Sequence, residues 1–201
     1  MIQKTLHSIV LWLVLLLMPQ SGVHAQLFRE EPLYTDLEIA LQNPLQVKRL
    51  ALTKEKFKRF PKEVFRFPNL IELDLSRNKI REIPPEIQQL KKLEVLLLER
   101  NDIEELPAFI CEMPRLRHLD LRKNELFKIP DCLGKMYKLH RLILASNPIF
   151  RLPPDFEHMS QLEFLDLRST DIHPEVLKAL GKALPATEFL WDSDCNCGPN
   201  H

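Results

Sequence analysis

Between Ile71 and Pro107 the apolar positions obey one rule twice. Leu73-x-Leu75-x-x-Asn78-x-Ile80 returns as Leu96-x-Leu98-x-x-Asn101-x-Ile103. The frame continues at Leu119, Leu121, Asn124 and Leu126, and again at Leu142, Leu144, Asn147 and Ile149. It extends back to Leu50 and Leu52 and forward to Leu165 and Leu167, so that six first leucines follow an unbroken step of 23 residues. A period held that strictly predicts a solenoid, in which no coil can bury its own apolar face and stability comes from stacked neighbours.

Within each repeat two leucines flank one variable residue, the alternation of a short strand with its leucines turned inward. The Asn that follows stands where the chain must leave the strand. Its amide can satisfy backbone groups that the turn would otherwise strand, and successive amides should form a ladder inside the solenoid. Ile80, Ile83, Ile87, Leu90 and Leu93 complete the core on the return path. The Pro after Ile83, Leu106, Ile129 and Leu152 fixes φ and restarts the chain as a tight convex segment. With 4 Gly in 201 residues, the turns rest on Asn and Pro.

The LxxLxLxxNxL frame followed by LPxxIxxL resembles the leucine-rich repeat family. It is most similar to the 23-residue type of plant intracellular Ras-group proteins, Ras-pathway scaffolds and many bacterial repeat proteins, and the resemblance covers roughly residues 47–185. It implies an α/β repeat solenoid: a horseshoe with a parallel concave β-sheet and short convex turns or helices. It also implies a non-enzymatic activity, the binding of another protein.

The flanks depart from the repeat. Lys4, the apolar run from Ile9 to Met18 and the break at Pro19 to Gly22 lead to Ala25, the pattern of a secretory signal peptide over residues 1–25. The expectation is a secreted or periplasmic protein with no stable membrane insertion after cleavage. Residues 26–46 should form an N-terminal helical cap. Thr35 and Glu38 have capping-box spacing, Tyr34 and Ile39 are placed to staple the helix, and Asn43-Pro44 should stop it. Leu37, Ala40 and Leu41 would cover the first coil. At the other end Thr170 replaces Asn. Pro174 then opens a helical pattern through Leu177, Leu180 and Leu184, and residues 186–191 read as a closing strand. This helix-plus-strand C-terminal cap is similar to the ribonuclease-inhibitor type of repeat. Residues 186–201 hold that strand and a tail with Cys195 and Cys197.

Whatever flanks the inward leucines must face the concave side. One column reads Arg49, Glu72, Val95, His118, Arg141, Phe164; the next reads Ala51, Asp74, Leu97, Asp120, Ile143, Asp166; a third contains Thr53, Ser76, Glu99, Arg122, Ala145 and Arg168. Apolar side chains rimmed by Arg and Asp suit a protein-recognition surface. The candidate protein-binding residues are therefore Asp74, Val95, Leu97, His118, Asp120, Arg122, Arg141, Ile143, Phe164, Asp166 and Arg168. Asp74 with Arg77, or Asp120 with Lys123, would equally suit cross-strand pairs that keep a sheet soluble.

Charge is balanced overall, with 28 Lys+Arg against 28 Asp+Glu, but not locally. From Lys48 to Arg66 there are eight basic residues against two acidic; from Asp155 to Asp194 there are nine acidic against three basic. Zero net charge and few aromatics disfavour nucleic acid. No nucleophile elbow, phosphate loop, dinucleotide fingerprint or HExxH motif is present, so no cofactor, small-molecule substrate or catalytic residue is expected. His118 and His140 lie in adjacent coils but make an incomplete metal site. Cys111 and Cys132 fall on the convex side two positions out of register, where a disulfide is possible and geometrically marginal. The expected protein is a monomer with one unnamed protein partner. Two rivals remain open: an intracellular signalling scaffold, and a structural or redox module working through the Cys195–Cys197 tail.

Overall fold

A computed structural model describes residues 31–192. The expected signal peptide and the Cys195–Cys197 tail lie outside the described residues. The chain divides into Met1–Leu33 and Tyr34–His201, and the repeats lie in the second unit.

Eight short strands follow one another in sheet order as in sequence. They are β1 (Leu33–Tyr34), β2 (Arg49–Ala51), β3 (Glu72–Asp74), β4 (Val95–Leu97), β5 (His118–Asp120), β6 (Arg141–Ile143), β7 (Phe164–Asp166) and β8 (Glu188–Leu190). From β2 to β8 every neighbouring pair is parallel. The central rungs align Leu50, Leu73, Leu96, Leu119, Leu142 and Leu165 in register, each fully buried. The row ends on Phe189, which pairs with Leu165 after a step one residue longer than the repeat.

The return path of each coil is a 3-10 helix: η1 (Lys62–Arg66), η2 (Pro85–Gln89), η3 (Ala108–Glu112), η4 (Asp131–Lys135) and η5 (Pro154–His158). Pro61, Pro84, Pro107, Pro130 and Pro153 precede them with φ between −58 and −80 and extended ψ. Their fixed φ and missing N–H suit the last residue before a helical turn. Val64, Ile87, Ile110, Leu133 and Phe156 turn inward from these segments and are buried. Full burial of such side chains contributes roughly 1.5–3 kcal/mol each.

The Asn ladder forms as the repeat predicts. Asn101 donates through Nδ2 to the carbonyls of Leu75 and Leu98, both at 3.0 Å. Its Oδ1 accepts from the backbone N–H of Ile80 at 3.0 Å. Asn78, Asn124 and Asn147 repeat the pattern, donating within their own coil and to the preceding one. Where Thr170 replaces Asn, its hydroxyl still donates to Leu167 O at 2.8 Å.

Helix α1 spans Leu37–Gln42 and buries Ala40, with Leu37 and Leu41 packed against the core. Its N-cap corrects the expected capping box. Asp36, not Thr35, accepts from Ile39 N at 3.0 Å, because the extended residue preceding the helix is Asp36. That one-residue shift leaves Ile39 at 55% exposure, not stapled. Helix α2 spans Pro174–Ala183, begins at Pro as expected, and buries Leu177 and Leu180.

On the convex side Cys111 of η3 and Cys132 of η4 are joined in a disulfide, their Cα atoms 6.0 Å apart. The offset of two positions is absorbed because the residues point across the gap between consecutive 3-10 turns.

Candidate functional site

The parallel register assembles the predicted surface from one column per strand position. Val95, His118, Arg141 and Phe164 stand side by side across β4 to β7. Asp74, Leu97, Asp120, Ile143 and Asp166 form the next column across β3 to β7. Arg122 and Arg168 follow two residues beyond the Asp positions.

The three aspartates are more structural than expected. Asp74 Oδ1 accepts from Ser76 N at 2.8 Å, Asp120 from Arg122 N at 3.1 Å and Asp166 from Arg168 N at 3.2 Å. Each carboxylate therefore holds the turn that leaves its strand. Asp120 and Asp166 are 3% and 2% exposed, and Ile143 is 6% exposed, so these three do not face open water as their column implied. Parallel strands lie only ~4.8 Å apart, and the long side chains beside them close over the column.

The expected partner of Asp120 also differs. Arg122 Nη2 lies 2.9 Å from Asp120 Oδ2, and Lys123 takes no part. Lys123 sits at φ 56 in the left-handed turn that follows the strand, as Arg77 does at 60. Asp166 pairs with Arg168 at 2.6 Å, which raises the pKa of the guanidinium.

Glu99 was not among the predicted site residues, yet it links Arg100 at 3.4 Å and Arg122 at 3.5 Å. Its signal was available: it is the only acid in a column that otherwise reads Thr, Ser, Arg, Ala and Arg. Nearby, Arg49 and Glu72 bond across β2 and β3 at 2.7 Å, and Glu72 raises the pKa of Arg49.

His118 lies at the centre of the face. Burial, with the positive charges of Arg141 and Arg122 adding to it, pushes its pKa down to about 4. Its Nε2 is buried without a hydrogen-bond partner. His140 turns away, its Nδ1 2.7 Å from Lys138 O. Burial also raises the pKa of Asp120, against the lowering effect of Arg122. Among the described residues, no group of three His, Cys, Asp or Glu side chains is placed to hold a metal ion.

Val95, Leu97 and Phe164 remain half-exposed on this face. The Arg141 guanidinium lies over the Phe164 ring, 4.3 Å from its centroid. What results is a rigid sheet presenting apolar spots framed by Asp–Arg pairs. Thr53, Lys54, Asp74, Ser76, Arg77, Leu97, Glu99, Asp120 and Arg122 line an open depression of about 460 Å³ toward the first coils.

Residues 63–144 match the model of a leucine-rich repeat region. The chain carries leucine-rich repeats. Solved structures with this repeat superpose on it. A leucine-rich repeat protein of Leptospira interrogans is 29% identical, with a TM-score of 0.63, over 79% of this chain and 46% of that one. The LRIM1/APL1C complex gives 26% identity and a TM-score of 0.59 over 69% of this chain and 26% of that one. The functional domain of InlJ from Listeria monocytogenes, described as including a cysteine ladder, gives 25% and 0.52 over 65% and 26%. This leucine-rich repeat chain thus spans less than half the length of each of these structures. None of the curated proteins matches the sequence. The fold is the leucine-rich repeat solenoid, an architecture suited to protein–protein interaction.

Proposed function

We propose that the chain is an exported, non-enzymatic binding protein that holds a protein partner on its concave face. The observation that carries this is the half-exposed trio Val95, Leu97 and Phe164 on β4 to β7, whose other apolar residues, Leu96, Leu119, Leu142, Ile143 and Leu165, are buried. Apolar side chains kept partly in water cost free energy that a partner's surface would recover, at roughly 25 cal/mol per Å² covered. Asp74, Arg122, Arg141 and Arg168 frame those spots with charges that favour one orientation of the partner, while Asp120 and Asp166 hold two of the arginines in place and His118 lies neutral between them. Ile143 supports the face from beneath.

Two features support export. The first is the signal-peptide pattern over residues 1–25. The second is the Cys111–Cys132 disulfide, a bond that persists in oxidising compartments. Mature protein beginning at Gln26 and recovered outside the cytoplasm would bear out this part. Full-length protein retained in the cytoplasm, with both thiols free, would refute it and favour the scaffold alternative.

The binding part is tested by pull-down from the native envelope or medium, wild type beside a Leu97→Asp, Phe164→Asp double variant. Neither substitution touches the inward leucines, and a melting curve checks that the variant is folded. A partner held by the wild type and lost by the folded variant supports the concave face. A partner held equally by both refutes it.

A further inference from the structure

Six cations cluster where the chain leaves the first two repeat strands. Coil one contributes Lys54, Lys56 and Lys58, and coil two contributes Arg77, Lys79 and Arg81 at positions 23 residues on. All six are exposed. Among the described residues none has a carboxylate within ion-pair distance, whereas Arg49, Arg117, Arg122 and Arg168 each sit against one. Glu55 is the only acid among residues 54–58, and residues 77–81 contain none.

The backbone of this edge is tied down. Lys54 N donates to Ser76 O at 3.3 Å and Lys79 N to Phe57 O at 2.8 Å, while Phe57 N donates to Asn78 Oδ1 at 3.2 Å. Lys54 and Arg77 adopt left-handed φ of 66 and 60, as their equivalents do in later coils. Lys56 is different. Its φ is 62, and no later coil has a left-handed residue at that position among the described residues. Such a conformation costs a non-glycine residue roughly 1–2 kcal/mol. Here it places a second lysine at the turn where other coils bury an Asn.

We infer that this edge of the N-terminal coils binds an acidic polysaccharide, a linear chain bearing sulfate or carboxylate groups. Cations in three columns on the turns of two adjacent coils, whose strands lie ~4.8 Å apart, form a track for a polymer with repeated anionic groups. Among the described residues the exposed aromatics Phe127, Tyr137 and Phe150 all lie in later coils, and Phe57 and Phe65 beside the track are partly buried against the core, so the track offers no exposed aromatic anchor to a folded protein partner. Nor does it offer a stacking platform for bases, since Phe60 is buried and Phe57 packs against the core. Lys58 and Arg81 continue onto a cleft of about 430 Å³ whose charged lining also includes Arg59 and Lys62, with Glu82 and Glu86 marking where the cationic track ends.

The test titrates the full chain with dextran sulfate and with polygalacturonate, neutral dextran serving as control, at low and at physiological salt. Expected is binding to both acidic polymers and not to neutral dextran, weakening as salt rises. A Lys54→Gln, Arg77→Gln, Lys79→Gln variant should bind roughly tenfold more weakly or worse. A Lys178→Gln, Lys182→Gln variant on α2 should bind as the wild type does. All these changes are on the surface, and unchanged melting curves confirm folding. Three outcomes overturn the proposal: no binding by the wild type, equal binding by the triple variant, or tighter binding to polyglutamate, duplex DNA or phosphatidylserine vesicles. A Phe164→Asp variant, changed in β7 far from the first two coils, should keep its polysaccharide binding, so failure of the concave-face proposal leaves this one standing.

Discussion

The Arg141 guanidinium lies over the ring of Phe164, linking β6 to β7 at the apolar end of the concave face. Their contact is a cation–π interaction at a partly exposed site, where such pairs contribute about 0.5–1 kcal/mol. A double-mutant cycle of Arg141→Gln and Phe164→Leu, read by chemical unfolding, should return a coupling energy of about that size. A coupling indistinguishable from zero would mean that the two side chains act independently.

Asn101 satisfies Ile80 N, Leu75 O and Leu98 O at once, all inside the solenoid. Asn101→Ala would strand Ile80 N, whereas Leu75 O and Leu98 O would still accept from Asn78 and Asn124. The expected loss by urea unfolding is roughly 1–3 kcal/mol, the cost of one buried unpartnered backbone group. Exposed Glu125, in the neighbouring coil, should by contrast tolerate Ala within ~0.5 kcal/mol.

Gly134 is required by close packing. A Cβ placed there would lie 2.7 Å from the carbonyl carbon of Asp155 and 3.0 Å from its oxygen. Those are backbone atoms, so η4 and η5 would have to separate. Gly134→Ala should destabilise the chain by roughly 1–3 kcal/mol. An unchanged thermal midpoint would show that the convex turns pack less tightly than described.

His118 makes stability depend on pH. Its folded pKa of about 4 lies below the ordinary 6.5, so between those values the unfolded chain takes up a proton that the folded chain refuses. Stability from this group is thus present above that window and lost as pH falls through it. Asp120 works in the opposite sense: its raised pKa makes the fold hold a proton more tightly, a contribution lost as pH rises. Comparison with His118→Gln separates the two. From pH ~7 to ~5 the wild type should lose on the order of 1–2 kcal/mol more than the variant. Parallel losses in both would place the acid sensitivity elsewhere.

Much of the site was legible because a parallel stack converts sequence period into spatial neighbourhood. A step of 23 residues placed Val95, His118, Arg141 and Phe164 in one row before any coordinates were known. Accessibility was less legible. Asp120, Ile143 and Asp166 face the expected side of the strand but are nearly closed off, since alternation gives direction and not how far neighbouring side chains reach. The role of Glu99 was hidden for the same reason: it depends on two arginines, one adjacent and one a coil away.

By itself the sequence determined the solenoid, the inward leucines, the Asn ladder and the convex restart at proline. Each depends on local periodicity repeated in register, and stacking adds no new choice. Tertiary structure alone decided which aspartates hold turns, which arginine each one pairs with, and that Asp36 caps the first helix. It also decided that Cys111 meets Cys132, and that six cations on the first two coils lie beyond ion-pair distance of every carboxylate among the described residues. These outcomes turn on distances of a few ångströms between side chains of adjacent coils, which no one-dimensional period specifies.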